Sequence, residues 1–499
     1  MAEHVDVIIV GAGLSGIGQA RHLQRDCPDR RFLILESRDA IGGTWDLFRY
    51  PGVRSDSDMH TLGYSFRPWT GGASFADGTA IREYIADAAQ EGGLDALIRF
   101  GVRVEAAAWS TDDAQWTVTA RRADGERITF TCGWLCMCSG YYNYARGHAP
   151  DFPGEDEFGG RIIHPQFWPA DLDYSGKRVV VIGSGATAVT LVPAIAKQAA
   201  TVTMLQRSPT YVVALPGQDR VGQWLGRWLP RAAAQRATRW KNILLSMIFY
   251  RLARARPQAI KRRMINGVRE QLGAGFDVET HFTPRYAPWD QRVCVVPDAD
   301  LFAAIKEGRA EVLTDTVERF TASGLRLGSG RELPADVIVT ATGLEIQLLG
   351  DVQFTLDGAP VELSRSVQYK GLMFSDVPNL SFTFSYTNAS WTLKADLVAR
   401  YVCRLLNTMR RRGVRQATPH LGDTAMERLP AVDFSSGYIQ RAQGKLPQQG
   451  AKRPWRLHQN YALDLATLRF GSVDDEMFFS NPVASDRGPR AGVRAVTNA

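Results

Sequence analysis

The residues whose types and spacing point most directly to chemistry lie in two glycine-rich turns. The sequence GAGLSG at 11–16 follows an apolar run at 5–10, and GSGATA at 183–188 follows another at 178–182. A buried strand that turns through glycine into a helix presents free backbone N–H groups at the helix N-terminus, and these groups bind phosphate. The two turns therefore predict two dinucleotide sites.

The first turn is accompanied by the further residues that a dinucleotide site needs. Gly11 allows the tight turn, Gly13 lets a pyrophosphate approach the backbone, and Gly16 lets the helix pack closely on the strand. Glu36 follows the next predicted strand, 32–35. Its carboxylate can accept hydrogen bonds from ribose hydroxyls, so this site should hold a dinucleotide with a free ribose, and FAD is its natural occupant.

The second turn differs from the first at the position equivalent to Glu36. The strand predicted at 202–206 runs into Arg207 and Ser208, so a cation stands where the first unit has a carboxylate. A carboxylate would repel a 2′-phosphate, whereas a guanidinium binds it in a bidentate way. The second site therefore favours NADPH. Its predicted residues are Gly183, Ser184, Gly185, Thr187, Ala188, Arg207 and Ser208.

Other polar residues carry chemistry only in the right surroundings. Asp56 closes an ordered loop at 42–56, and a loop carboxylate is ordinarily just solvated unless a cation faces it. Arg292 lies between a proline-aromatic loop and a strand-like run, where most arginines are surface residues. The segment 380–396 could line a pocket or simply cap the helix that follows it. Its candidate pocket residues are Asn388, Ser390 and Trp391.

The elements that must position these residues alternate between strands and helices, which predicts an α/β fold. The stretch 158–169, FGGRIIHPQFWP, links the two nucleotide units, and the strand predicted at 336–343 should return the chain to the first unit. We expect two Rossmann-like domains with a helical insertion. The predicted bounds are 1–140 and 335–480 for the FAD domain, 150–215 and 285–334 for the NADP domain, 216–284 for the insertion, and 481–499 for a disordered tail.

Composition and charge exclude several classes of protein. A hydrophobic content of 45% without a long apolar run argues against a membrane span, and six cysteines without a CxxC pair argue against a disulfide framework. The N-terminus lacks the pattern of a signal peptide, so the cytoplasm is the default location. The net charge is +7, and 220–269 contains thirteen Lys and Arg but no Asp or Glu. That segment reads first as a helical insertion with a solvated basic face. Weak contact with a membrane surface stays open, while the lack of regularly spaced aromatic residues disfavours nucleic acid.

The stretch 158–169 resembles the fingerprint of type I Baeyer–Villiger monooxygenases, FxGxxxHxxxWP. The matching residues are Phe158, Gly160, His164, Trp168 and Pro169. The loop 42–56 is similar to the second signature of that family, and its matching residues are Gly42, Gly43, Trp45, Tyr50, Pro51, Gly52 and Asp56. The resemblance covers about residues 4 to 475, and within the family it is greatest to the ethionamide-activating monooxygenases, which act on ketones and on sulfur centres.

This resemblance implies the cofactors and the reaction. In the family, NADPH reduces FAD, and the reduced flavin reacts with O2 to give a C4a-peroxyflavin. This species attacks a small ketone to yield an ester or lactone, with sulfoxidation as a side activity and without a metal. The resemblance places Arg292 as the active-site arginine and Asp56 as its partner. It adds to the FAD site Gly43, Thr44, Trp45 and Asp56.

The resemblance also implies roles for two neighbouring features. Gln291 stands where the family commonly has a lysine that contacts the 2′-phosphate, so Arg207 and Ser208 should supply most of the preference for NADPH. His164 is expected to tie the linker to backbone beside the NADP domain rather than to act in acid–base catalysis, so that domain rotation can place the nicotinamide and then Arg292 against the flavin.

Three alternatives to ketone oxidation stay open at this point. One is a flavin monooxygenase restricted to sulfides or amines, which would not need an arginine to stabilise an anion. Another is a non-oxygenating NADPH–flavin reductase, and the third is a non-catalytic flavoprotein that senses NADPH. The partners expected for the favoured reaction are O2 and a small ketone or sulfide, in a monomer or a small homo-oligomer.

Overall fold

The structure is a computed structural model of the 499-residue chain, and it describes residues 2–423, 425–431 and 436–482. The predicted tail lies outside the described residues from 483 onward. The helices are α1 (Leu14–Asp26), α2 (Thr44–Leu47), α3 (Met59–Leu62), α4 (Gly78–Gln90), α5 (Ala186–Ile195), α6 (Arg220–Trp228), α7 (Arg231–Ala255), α8 (Pro257–Leu272), α9 (Val278–Phe282), α10 (Asp300–Lys306), α11 (Trp391–Arg412), α12 (Gly437–Ala442) and α13 (Tyr461–Asp464).

The strands form two large sheets and several two- or three-stranded ones. They are β1 (Glu3–Val10), β2 (Phe32–Leu35), β3 (Ile98–Arg99), β4 (Val102–Ser110), β5 (Gln115–Arg122), β6 (Arg127–Met137), β7 (Tyr142–Gly147), β8 (Arg161–Ile163), β9 (Arg178–Ile182), β10 (Thr201–Gln206), β11 (Val212–Leu215), β12 (Cys294–Pro297), β13 (Ala310–Thr314), β14 (Val317–Thr321), β15 (Gly324–Leu327), β16 (Glu332–Pro334), β17 (Val337–Thr340), β18 (Leu344–Ile346), β19 (Gln353–Leu356), β20 (Ala359–Pro360), β21 (Gln368–Tyr369), β22 (Met373–Phe374), β23 (Leu380–Phe382), β24 (Gln416–Pro419), β25 (Arg428–Pro430), β26 (Gln448–Gly450) and β27 (Met477–Ser480).

The first large sheet has nine strands, in the order β20-β19-β4-β5-β6-β1-β2-β3, with β23 also paired to β6. Strand β1 is parallel to both β2 and β6, and Val10 is in register with Leu35 and Met137. The carboxyl ends of these three strands therefore meet at one edge, where the first glycine turn begins. Helix α1 packs between this sheet and α11, and its buried face includes Ile17, Ala20 and Leu23.

The second large sheet has five parallel strands in the order β13-β10-β9-β17-β8. Strand β17 lies between β9 and β8, with Val337 in register with Val179 and Arg161. The sequence placed this strand in the FAD domain by setting the boundary at 335, and the structure corrects that boundary. Apolar residues fill both faces of β17, so sequence pattern alone cannot assign it to one of two buried parallel sheets.

The predicted helical insertion is helical in the structure, and it packs against both sheet domains. Helix α8 buries Ile265, Val268 and Leu272 in the core of the second domain. Helix α7 meets the first domain, where the Arg239 guanidinium donates to the carbonyl oxygens of His60 and Gly63 at 2.9 and 2.6 Å. The two Rossmann-like sheets and the insertion confirm the predicted fold class. Within the described ranges, none of the helices is sufficiently long and apolar to traverse a bilayer.

Candidate active site between the two nucleotide-binding units

The first glycine turn brings helix α1 against β1 more closely than any side chain would permit. A Cβ at Gly16 would lie 1.8 Å from the carbonyl oxygen of Gly11, so glycine is required at this position. Gly11 and Gly13 line the large cavity described below, whereas Gly16 is buried beneath them. The glycines of the turn therefore present backbone to the cavity, beside Leu14 and Ser15.

Glu36 has a second function that the sequence did not indicate. One carboxylate oxygen accepts a hydrogen bond from the backbone N–H of Ala12 at 2.7 Å, and the other accepts from that of Arg38 at 2.8 Å. The side chain is buried, yet it lines the cavity. Each carboxylate oxygen has more than one lone pair, so Glu36 can hold the glycine turn and still accept from a ribose hydroxyl.

The second glycine turn has hydroxyl groups and a cation at its mouth. The Ser184 hydroxyl donates to the carbonyl oxygen of Ser208 at 3.2 Å and lies 3.3 Å from the Thr210 hydroxyl. Arg207 is exposed and forms neither an ion pair nor a side-chain hydrogen bond with any residue that the structure describes. Its guanidinium therefore remains available to an anionic group at the carboxyl edge of β10. Ala188 is fully buried and supports the helix rather than the site.

One cavity of about 1130 Å³ joins the two turns. It exceeds the roughly 300–1,000 Å³ of a pocket for a single drug-sized ligand, as two large ligands would require. The predicted residues that line it are Gly11, Gly13, Glu36, Gly43, Thr44, Trp45, Asp56, Gly183, Ser184, Gly185, Thr187, Arg207, Ser208, Gln291 and Arg292. The structure therefore brings nearly all of the predicted nucleotide residues to one continuous space.

Arg292 and Asp56 meet inside this cavity. The Nη2 atom of Arg292 lies 2.7 Å from Oδ2 of Asp56, and the two side chains are 39% and 36% exposed. The Asp56 carboxylate raises the pKa of Arg292 well above its usual range, against the opposing effect of burial. Tyr141 and Tyr142 flank the pair, and their hydroxyls share one hydrogen bond at 2.6 Å. The guanidinium is thus held charged and facing the cavity.

The loop that carries Asp56 is fixed by the second domain. Tyr50 belongs to the apolar core around α5, and burial raises its pKa to about 12. Gly52 has a φ of +77°, and a Cβ there would lie 2.7 Å from that of Ala194 and 2.8 Å from the carbonyl oxygen of Thr190. Arg54 completes the contact with an ion pair to Asp300 of α10. The second signature is therefore a joint between domains as well as a cavity wall.

The stretch 158–169 forms a second joint, and it lies outside the cavity. His164 Nε2 donates to the carbonyl oxygen of Gly343 at 3.1 Å, while Nδ1 accepts from the backbone N–H of Gln166 at 3.3 Å. These partners require the neutral imidazole with its proton on Nε2, and burial lowers the pKa of His164. None of the five described fingerprint residues lines the large cavity.

The remaining fingerprint residues shape the ends of this stretch. Phe158 packs edge-on against Phe320 in a small core beneath the second sheet, with ring centroids 6.2 Å apart. Gly160 makes a close approach to the backbone of Asp336, and Trp168 packs against Tyr174. Pro169 follows directly and ends the segment. These contacts hold the linker against the second domain.

The structure corrects part of the predicted substrate pocket. Trp391 lines the cavity, where its ring stacks on Tyr141 at 5.3 Å and its Nε1–H donates to Ser15 at 2.6 Å. Asn388 and Ser390 do not line it. The Asn388 amide donates to the carbonyl oxygen of Gln459 at 3.1 Å, and the Ser390 hydroxyl is buried 2.6 Å from that of Thr61. Both side chains are therefore engaged by partners that lie far away in sequence.

Sequence reasoning missed several residues of the cavity wall. They are Tyr141, Tyr142, Tyr144, Tyr386, Ala389, Tyr438 and Arg441. The run YYNY at 141–144 directly follows Ser139-Gly140 at the end of a buried strand, and ligands of parallel sheets bind at that end. That signal could have identified the first three. Tyr386 and Ala389 lie in the segment 380–396 that the sequence had indicated as a possible pocket wall, whereas Tyr438 and Arg441 approach from a distant segment and carry no comparable pattern.

Comparison with known proteins gives a consistent result. A family model described as flavin-binding monooxygenase-like matches residues 4–351. The FAD-containing monooxygenase EthA of Mycobacterium tuberculosis is 52% identical over 477 residues, which cover 95% of this chain and 97% of that protein. EthA of Mycolicibacterium smegmatis is 53% identical over 478 residues, with the same coverage. A solved structure of oxidized steroid monooxygenase bound to NADP is 20% identical and superimposes with a TM-score of 0.74, over 96% of this chain and all of that one.

Proposed function

Because this chain belongs to the flavin-binding monooxygenase-like family, we propose that it is a Baeyer–Villiger monooxygenase that uses FAD, NADPH and O2. The reaction inserts one oxygen atom beside a ketone carbonyl and yields an ester or a lactone. Sulfoxidation is a second activity of the same cavity. The observation that carries this proposal is the charged pair of Arg292 and Asp56 between the two nucleotide turns.

The first turn fits FAD. The N-terminus of α1 and the backbone of Gly11 and Gly13 face the cavity, and they suit the pyrophosphate because a helix N-terminus stabilises an anion. Glu36 retains acceptor capacity for ribose hydroxyls. Thr44 and Trp45 line the same end of the cavity and extend the site along the second signature.

The second turn fits NADPH. The N-terminus of α5 faces the cavity beside Ser184 and Thr187, and Arg207 stands at the end of β10 where a 2′-phosphate would lie. No carboxylate occupies the position that Glu36 holds in the first domain. The preference for NADPH over NADH rests mainly on Arg207 and Ser208, because Gln291 supplies no charge.

Arg292 provides the electrostatic part of the reaction. Bound FAD would supply the chemistry that activates O2, with NADPH as the source of the two electrons. Attack on a ketone carbonyl places negative charge on oxygen, and a fixed guanidinium that cannot deprotonate stabilises that charge. Asp56 holds the guanidinium by its 2.7 Å ion pair and limits its free rotation. Oxygen transfer to a sulfide develops no such anion, so it should depend much less on Arg292.

The surrounding aromatic residues orient the substrate and exclude water. Trp391 stacks on Tyr141, and Tyr142 packs at a tilt against Tyr141, which gives an aromatic wall next to the ion pair. Burial raises the pKa of Tyr142 to about 12, so its hydroxyl stays protonated and neutral. An apolar wall of this kind strengthens the field of Arg292, because electrostatic interactions grow as water is excluded.

A panel of ketones and sulfides with product identification tests the proposal. The holoenzyme is incubated with NADPH and O2, and products are identified by mass spectrometry. We expect NADPH oxidation that is stimulated by a ketone, together with an ester or lactone heavier than the ketone by one oxygen. NADPH oxidation that yields only hydrogen peroxide, or only sulfoxides across the panel, would reject ketone oxygenation.

A further inference from the structure

The helical insertion exposes an unusual amount of apolar surface. We call this surface the α6–α7 face. It contains nine of the fifteen large apolar side chains that are exposed among the described residues. They are Val221, Trp224, Trp228, Leu229, Trp240, Leu244, Leu245, Ile248 and Leu252. Trp228 is 74% exposed and Trp224 is 57% exposed, so both indoles project into solvent. Exposed apolar patches of this extent mark interaction sites.

The exposed residues follow the period of a helix. Trp240, Leu244, Ile248 and Leu252 recur every fourth residue along α7 and form one stripe. The opposite side of α7 packs inward, where Ile243 is buried with Tyr386 and Leu393. The fold therefore uses one face of α7 for its core and leaves the other face unpartnered.

The same segment is strongly basic. Residues 220–269 contain thirteen Lys and Arg and no Asp or Glu. Some of these cations are paired at the edges, such as Lys241 with Asp219 and Arg254 with Asp290. Eight form no ion pair or side-chain hydrogen bond with another residue in the described part of the chain. They are Arg220, Arg227, Arg231, Arg236, Arg251, Arg256, Arg262 and Arg263. The apolar stripe is thus framed by uncompensated positive charge.

The exposed tryptophans and the unpaired arginines together indicate what kind of ligand the α6–α7 face would bind. Tryptophan is favoured at the boundary between water and lipid, and each Lys or Arg near an anionic leaflet contributes about 1 kcal/mol. A two-fold dimer through this face would bring two uncompensated basic surfaces together, which like charges oppose. We propose that the α6–α7 face binds the surface of an anionic lipid bilayer, with the indoles inserted and the arginines at the headgroups.

Such binding would hold the cavity near the lipid. Tyr386 lines the cavity and packs on the inner side of α7, so one helix diameter of about 10 Å separates the cavity wall from the exposed stripe. Apolar ketones dissolved in the bilayer are then the substrates closest to the site. This extension rests on the proposed function, whereas the binding itself does not.

Vesicle flotation of the holoenzyme tests the binding without reference to turnover. Vesicles of phosphatidylcholine are compared with vesicles that also contain anionic phosphatidylglycerol. We expect flotation with the anionic vesicles, little with the neutral ones, and a loss of binding as salt is raised, because salt screens exposed charges. Trp224→Ser with Trp228→Ser should weaken binding about tenfold, and Arg227→Gln with Arg231→Gln and Arg251→Gln about a hundredfold.

Matched variants elsewhere on the surface keep the test specific. Phe470→Ser with Phe478→Ser removes two comparably exposed rings and should leave flotation unchanged. All variants are compared by melting temperature, and the serine and glutamine variants should melt like the wild type because the replaced side chains are exposed. Equal flotation with neutral vesicles, or wild-type flotation of the tryptophan variant, would overturn the proposal. The proposal would also be overturned if the wild type sedimented as a stable oligomer that does not bind lipid and that the tryptophan variant dissociates.

Discussion

Arg292 and Asp56 come from different domains and meet at 2.7 Å in the cavity that joins the two glycine turns. Asp56 ends a loop whose other residues, Tyr50 and Gly52, pack on helix α5 of the second domain. The geometry of the pair therefore depends on how the two domains dock. A change in docking alters the position of the cation relative to the first turn, which couples domain arrangement to chemistry.

Replacing Arg292 separates flavin reduction from oxygen transfer. We expect Arg292→Ala to retain reduction by NADPH but to lose ester formation by about 10²–10³ or more, because it removes the cation that stabilises the developing anion. Rapid-mixing absorbance measures reduction and mass spectrometry measures the ester. Arg285→Ala, an exposed arginine on the same segment, is the control. Normal ketone oxidation by Arg292→Ala would remove Arg292 from the mechanism.

Replacing Asp56 should have a smaller effect spread over both half-reactions. Asp56→Ala frees the guanidinium to rotate, and we expect slower flavin reduction and slower oxygenation, by roughly up to a hundredfold. Asp56→Asn, which keeps a hydrogen-bond acceptor, should be intermediate. Asp171→Ala, which removes an exposed carboxylate outside the cavity, is the control. A wild-type time course for both half-reactions in Asp56→Ala would contradict the partnership.

Arg207 should set the preference between the two nicotinamide cofactors. A hydrogen bond to a charged group contributes about 1.5–3 kcal/mol, so Arg207→Ala should raise KM for NADPH by about ten- to hundredfold while leaving KM for NADH nearly unchanged. Lys197→Ala, at an exposed site past the end of α5, controls for loss of positive charge. An unaltered NADPH-to-NADH ratio in Arg207→Ala would show that the 2′-phosphate is held elsewhere.

His164 should make the stability of the fold depend on pH. Burial lowers the pKa of His164, so the folded protein binds fewer protons than the unfolded chain below pH 6.5. The contribution of the neutral ring is then complete above pH 6.5 and falls as the pH drops towards the folded value, since protonation removes the acceptor for Gln166 N–H. Unfolding in urea at pH 7.5 and 5.5 should show His164→Gln losing less stability than the wild type. A parallel loss in both proteins would refute this role.

Gly52 should be essential to domain docking. Gly52→Ala places a Cβ 2.7 Å from that of Ala194 at a φ of +77°, so we expect a loss of about 1–3 kcal/mol in stability and poorer coupling of NADPH oxidation to product. Gly72→Ala meets nothing within 4 Å and serves as the matched control. Melting temperature and the ratio of ester to NADPH consumed report the two effects. Equal behaviour of the two alanine variants would exclude the docking role.

Much of the molecule could be predicted from local pattern. Strands 32–35 and 178–182 have the predicted bounds, and both glycine turns open helices at the expected places. This success has a physical reason, because a dinucleotide turn imposes its requirements within about thirty residues of contiguous chain. Most of the predicted FAD and NADP residues line the cavity, whereas Gly16 and Ala188 are buried behind it.

Tertiary structure decided what depends on distant segments. The prediction placed Val337–Thr340 in the wrong sheet, because a fully buried strand carries no sequence signal that identifies its neighbouring strands. Asn388 and Ser390 do not line the cavity, because their side chains form hydrogen bonds with Gln459 and Thr61. These partners are too distant in sequence for a local pattern to indicate them. The sequence by itself was enough to predict which groups would bind nucleotides, since those groups act through local backbone. The pairing of Asp56 with Arg292 was expected only through the family resemblance, and the fold gives its 2.7 Å contact. Only the fold determined that one side of α7 stays bare, because side-chain contacts and burial arise when remote elements pack.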